Sequence, residues 1–106
     1  KAEAVRLWRL AAAQGDKSAQ FNLGCFFDKG EGVAQDKAEA MRWYRLAAAQ
    51  GHAGAQCNLG IMFETGRGFP RDVNEAARWF RLASEGQGAG EAREFALRGL
   101  RRLGMT

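Results

Sequence analysis

Apolar residues fall at helical spacing along most of the chain. Ala19, Leu23, Phe26 and Phe27 recur at i, i+4, i+7 and i+8, which is one face of an α-helix. Ala55, Leu59, Met62 and Phe63 repeat the set. After each, a second stripe follows; in the first instance it is Ala40, Trp43, Tyr44, Ala47 and Ala48, with Arg42 and Arg45 turned the other way. Glycines punctuate the stripes. Gly30, Gly32, Gly66 and Gly68 break the chain after the first stripes, and Gly51 ends the second, because glycine takes the positive φ that helix ends require. Asp36 and Asp72 stand where N-caps belong, and Glu39 and Glu75 lie three residues on, a capping-box-like Asp-x-x-Glu. The pattern predicts helices over 2–14, 18–28, 37–50, 54–65, 73–85 and 91–103.

The two stripes form one repeating unit. Shifted by 36 positions, Ala19-Gln20, Asn22-Leu23-Gly24 and Phe27 fall on Ala55-Gln56, Asn58-Leu59-Gly60 and Phe63. Glu39-Ala40, Arg42-Trp43 and Arg45-Leu46-Ala47 fall on Glu75-Ala76, Arg78-Trp79 and Arg81-Leu82-Ala83. A period of this size with two helices per copy predicts an all-α solenoid of αα-hairpins. The expected organisation is the second helix of a truncated copy over 1–15, full copies over 16–51 and 52–87, and a capping helix over 88–106. Because the first stretch is the back half of a copy, a longer array is expected, with that copy's first helix upstream. Gly24 and Gly60 fall in mid-helix, where glycine is about 1 kcal/mol worse than alanine. A neighbouring helix crossing there, against small Ala40 and Ala76, accounts for them. In the last helix Ala92, Phe95, Ala96, Gly99, Leu100 and Leu103 make a narrow apolar stripe, with Leu97 off it.

Composition fits a folded chain of 106 residues, 46% hydrophobic and 26% charged. No apolar run approaches the ~20 residues that span a membrane. A net charge of +4 permits an acidic partner without demanding one. Cys25 and Cys57 sit inside apolar helical patterns, where a free thiol acts as a small hydrophobe. His52 is the sole histidine and has no second ligand in a motif, so it reads as a surface residue at a helix start. The stretch GQGAGEA, Gly86 to Ala92, lacks the preceding strand that a dinucleotide fingerprint needs. No catalytic residue, cofactor site or metal site emerges, and the chain reads as a non-enzyme.

The pattern Ala-Gln-x-Asn-Leu-Gly-x-x-Phe-x-x-Gly-x-Gly-Val/Phe-x-x-Asp-x-x-x-Ala-x-x-Trp-Tyr/Phe-x-x-Ala resembles the Sel1-like repeat, over Lys1 to about Gly90. That resemblance implies a right-handed superhelix of antiparallel helix pairs, similar to tetratricopeptide arrays, and a protein-interaction scaffold. Some secreted members carry paired cysteines near the end of the second helix; Ala47 to Ala55 has none. By the same resemblance the first helices line a concave wall. Their second faces carry Phe21, Cys25, Asp28 and Lys29, then Cys57, Ile61, Glu64 and Thr65, and in the last helix Arg93, Leu97 and Arg101. These residues differ between copies and are the candidate seat for a peptide or partner protein; packing of adjacent first helices is the other role open to Phe21, Cys25, Cys57 and Ile61. Asn22 and Asn58 are the same in both copies, which suits local hydrogen bonding or contact with a peptide backbone. The alternative partner is nucleic acid, on two rows of outer arginines: Arg6, Arg42, Arg78 and Arg9, Arg45, Arg81. Glu3, Glu39 and Glu75 at i,i+3 dilute the first row, and no aromatic is expected among them.

Overall fold

A computed structural model describes residues 2–30, 34–66, 70–86 and 90–105. They form six helices: α1 (Ala2–Ala13), α2 (Lys17–Lys29), α3 (Lys37–Ala49), α4 (Ala53–Thr65), α5 (Val73–Glu85) and α6 (Gly90–Arg102). No strand occurs among the described residues. Gly32 and Gly68, expected as breakers, lie outside them. The chain divides into two compact units, Lys1–His52 and Ala53–Thr106.

In the first unit α2 packs on α1 and α3. Asp16 caps α2, its carboxylate accepting from the Ala19 N–H at 3.0 Å. Gly30, at φ +76°, closes α2 with its N–H on the Phe26 carbonyl. Asp36 then starts α3, accepting from the Glu39 N–H at 3.1 Å. Its own N–H donates to the Phe27 carbonyl at 2.8 Å. That bond removes the orphan donor to which Glu39 was expected to reach back. The Glu39 carboxylate instead accepts from Arg42 and from the Trp43 indole, at 3.0 and 3.2 Å. Only the aspartate half of the capping box forms.

The second unit repeats the aspartate wiring, but not the indole bond, since Trp79 Nε1 is buried without a partner. Asp72 accepts from the Glu75 N–H, and its N–H donates to the Phe63 carbonyl at 2.9 Å. Gly66, at φ +70°, closes α4. Even the last-turn carbonyls find matching partners: Gln35 Nε2 donates to the Asp28 carbonyl at 2.8 Å and Arg71 Nε to the Glu64 carbonyl at 2.7 Å. The helix ends are thus closed by long-range bonds rather than left to water.

Leu23, Ala40, Tyr44 and Ala47 are buried at the centre of the first unit; Ala55, Leu59, Ala76, Phe80, Ala83 and Ala96 are buried in the second. Trp43, expected in the buried stripe, is half-buried. Gly24 and Gly60 do mark close approaches, but the neighbour is an aromatic ring rather than a small alanine. A Cβ on Gly24 would stand 2.6 Å from the Tyr44 ring, and one on Gly60 2.6 Å from the Phe80 ring. Phe80 is hemmed in twice, since a Cβ on Gly99 would come within 2.7 Å of its Cε2 and Cζ. Glycines of α4 and α6 therefore meet opposite edges of one ring from α5.

Candidate interaction face

In the second unit α4 and α6 run side by side, joined by two cross-contacts. The Cys57 thiol, buried, donates to the Ala92 carbonyl at 3.4 Å, and burial pushes its pKa up to about 11. The thiol thus packs between α4 and α6, in its protonated form. Two turns on, Arg102 grips the Glu64 carboxylate with two hydrogen bonds of 2.9 and 2.8 Å. Between these contacts α4 presents Ile61, half-buried, and just beyond them Thr65, exposed, whose hydroxyl donates to the Ile61 carbonyl at 2.8 Å.

The α6 side departs from expectation. Ala92, Gly99 and Arg102 touch α4 or its ring partner, and at about 100° per residue these positions share one side of the helix. Arg93, Leu97 and Arg101 fall on roughly the opposite side. The structure therefore does not bring Arg93, Leu97 or Arg101 to Ile61; Arg93 and Arg101 are exposed and Leu97 is half-buried. Phe95, expected in the buried stripe, is 41% exposed instead. It shares a row with Glu91, Arg98 and Arg102, at i−4, i+3 and i+7. The rotation arises because α6 turns Gly99, not a repeat-equivalent residue, onto Phe80.

In the first unit the candidate residues are partly engaged. Phe21 stacks on His52, with centroids 4.5 Å apart and planes at 22°, and lies 5.8 Å from the Tyr44 ring. His52 is thus half-buried rather than a surface residue, and burial, followed by the charge of Lys17, lowers its pKa. Cys25 is a half-buried free thiol. Asp28 is ion-paired to Lys37 and accepts from the Tyr44 hydroxyl at 3.5 Å. Lys29 is exposed. The two equivalent acids are neutralised differently: Asp28 by the first turn of α3, Glu64 by α6. Sequence reasoning missed both cations, because Lys37 and Arg102 have no motif linking them to the acids they meet.

Asn22 and Asn58 are half-buried, and their side chains form no hydrogen bond to any described residue, so the local bonding expected of them is not found. Their neighbours Gln20 and Gln56 take the buried polar positions instead, Gln20 Nε2 reaching the Ala12 carbonyl at 3.2 Å.

The outer arginine row is engaged. Arg6, Arg42 and Arg78 pair with Glu3, Glu39 and Glu75 at 2.8, 3.0 and 3.4 Å. Aromatics do lie among them, contrary to expectation: Arg42 sits 5.1 Å over Trp43 and Arg78 5.5 Å over Trp79. These stackings hold the guanidinium groups on the protein's own rings. An open cavity on α3 of about 660 Å³ has Ala38, Met41 and Leu46 in its lining beside Arg42 and Arg45, an apolar floor rather than a phosphate cradle.

The Arg102 hydrogen bonds hold the Glu64 carboxyl below its ordinary value of 4.5, against an opposing effect of burial. A carboxyl with a depressed folded-state pKa stabilises the fold above its unfolded pKa, and that contribution disappears as pH falls through the folded value. The urea midpoint of Glu64→Gln is therefore expected below wild type at neutral pH, with the gap closing on acidification below 4.5. A gap that does not begin to narrow as the pH falls below 4.5 would show that the charge pair is not its source.

Among the described residues there is no cluster of His, Cys, Asp and Glu suited to a metal, and no helix long and apolar enough to cross a membrane. The Sel1 repeat family model matches residues 1–16, 17–52 and 53–87. A Sel1 repeat protein from Oxalobacter formigenes is similar in structure, with a TM-score of 0.83 and 36% identity over 99% of this chain and 42% of that one. A protective antigen present in uropathogenic Escherichia coli strains, displaying an SLR fold, is similar with a TM-score of 0.78 and 42% identity over 82% of this chain and 18% of that one. The chain thus spans less than half the length of either. No match was found among curated protein sequences. Sel1 repeats are non-catalytic helical scaffolds that mediate protein–protein interaction. With its αα-hairpins, their caps and their glycine–ring contacts recurring every 36 residues, this chain belongs to the Sel1 repeat family.

Proposed function

We propose that the chain is a protein-interaction scaffold that holds a peptide segment of a partner on the first helices of its repeats, α2 in the first unit and α4 in the second. The observation that carries this reading is the pair of asparagines. Asn22 and Asn58 keep amide groups unbonded to any described residue, at the same position of each repeat. Neither amide is sealed from water, since among the described residues the buried side-chain polar atom left without a partner is Trp79 Nε1, and an extended peptide backbone, with both a donor and an acceptor, can take the place of that water. Ile61 and Thr65 beside Asn58, and Cys25 and Lys29 beside Asn22, differ between repeats and supply selectivity. Arg6, Arg42 and Arg78 are already paired with glutamates, and Arg42 and Arg78 also stack on tryptophans, which leaves nucleic acid as the less supported partner.

Capture of a partner by the immobilised chain from a lysate of the source cells tests this. Asn58→Ala with Ile61→Ala is expected to abolish capture, and Lys29→Ala to weaken it. The melting midpoint of the Lys29 variant is expected to stay near wild type, since exposed substitutions usually fall within about 0.5 kcal/mol. Arg42→Ala with Arg78→Ala is expected to change nothing. Loss of capture through the outer arginines alone, with a steep dependence on salt, would instead favour nucleic acid.

A further inference from the structure

We propose that α6 pairs with α6 of a second copy of this chain, as an antiparallel helix pair centred on Phe95. An exposed phenylalanine on a helix that otherwise buries Ala96, Gly99 and Leu100 is the starting observation. Phe95 lines a shallow cavity of about 710 Å³ with Gly90, Glu91, Glu94 and Arg98. Glu91, Glu94 and Arg98 are exposed and make no ion pair among the described residues. Their order identifies the occupant. An acid lies one turn before the ring and a base one turn after it. When two such helices run antiparallel about a two-fold axis at Phe95, position numbers across the pair sum to about 190, so Glu91 of one copy comes within one residue, about 1.5 Å along the axis, of Arg98 of the other, and the reverse. The two rings meet at the centre, and Glu94 at the edge of the row is a second acid within reach of the same arginine. The row is complementary to itself, as a two-fold interface requires. A parallel pairing would set like charge on like. A single helix face of 13 residues, about 20 Å long, falls short of the roughly 1,200 Å² of a stable interface, so the dimer is expected to be weak, micromolar or weaker.

Sedimentation equilibrium at low salt, up to hundreds of micromolar, tests this on the full chain. Wild type is expected to associate reversibly. Glu91→Arg and Arg98→Glu are each expected to weaken association about tenfold or more, because symmetry makes every substitution act twice. Mixing the Glu91→Arg protein with the Arg98→Glu protein is expected to restore it, as is combining both substitutions in one chain. Phe95→Ser is expected to weaken association without lowering the melting midpoint, since the ring is exposed. A wild-type chain that stays monomeric overturns the proposal, and so does a dimer indifferent to the charge swaps. If the chain is monomeric while Phe95→Ser loses capture of a different protein, the patch serves that protein and the proposal fails. None of these outcomes bears on the asparagine face of α2 and α4.

Discussion

Replacing Gly60 with leucine is expected to be the most damaging single substitution in the second unit. Even alanine would bring a Cβ to 2.6 Å from Phe80 Cε1, closer than real side-chain contacts allow. The ring cannot slide away, because the Gly99 backbone meets its other edge. Overpacking of this kind typically costs about 1–3 kcal/mol and more where nothing can yield. That outweighs the roughly 1 kcal/mol of helix propensity that alanine gains over glycine. Urea melts should therefore place Gly60→Ala below wild type and Gly60→Leu lower still. The cause can be isolated. In a Phe80→Leu background the penalty for Gly60→Ala should shrink markedly, a positive coupling of the size contacting residues show, about 0.5–3 kcal/mol. Equal penalties in both backgrounds would mean that the ring is not what the glycine accommodates.

Tyr44→Ala is expected to be comparably severe in the first unit. Tyr44 is 1% exposed and lies across the Gly24 backbone, beside Phe21. Truncating a buried aromatic costs about 3–5 kcal/mol, a large share of the roughly 5–15 kcal/mol by which small domains are stable. Tyr44→Phe should cost about 1 kcal/mol or less. The hydroxyl's bond to Asp28 is 3.5 Å long, and Asp28 keeps Lys37 without it. The protein already carries that exchange, since Phe80 stands at the equivalent position. Should the phenylalanine variant melt as low as the alanine one, the hydroxyl and not the ring would be holding the unit.

The helices were legible because their signals are local. Asp36, Asp72, Gly30 and Gly66 each act within a turn of their own position, and the 36-residue shift doubles every signal. The glycine contacts were legible only in part. Ala40 and Tyr44 lie one turn apart on the same face, so the pattern shows that α3 approaches Gly24 without showing which side chain arrives. The glutamate arm of the capping box failed for a different reason. The N–H it would reach is already held by the Phe27 or Phe63 carbonyl, a bond between residues nine positions apart that no local pattern reveals. On α6 the repeat itself misled. Aligning that helix with α2 and α4 puts Arg93, Leu97 and Arg101 on the shared face, whereas Gly99 on Phe80 turns the helix and leaves Phe95 outward. Position by repeat number loses its meaning once a helix no longer packs as a repeat.

The backbone bond from Asp36 to Phe27, copied from Asp72 to Phe63, has a consequence for how such chains grow. Each hairpin carries its own latch: one aspartate begins the second helix with its side chain and ties off the first with its amide. A tandem duplication of 36 residues therefore inherits a finished joint along with its two helices. Lengthening needs no new turn to evolve, and the residues left free to diverge are those that neither latch nor pack.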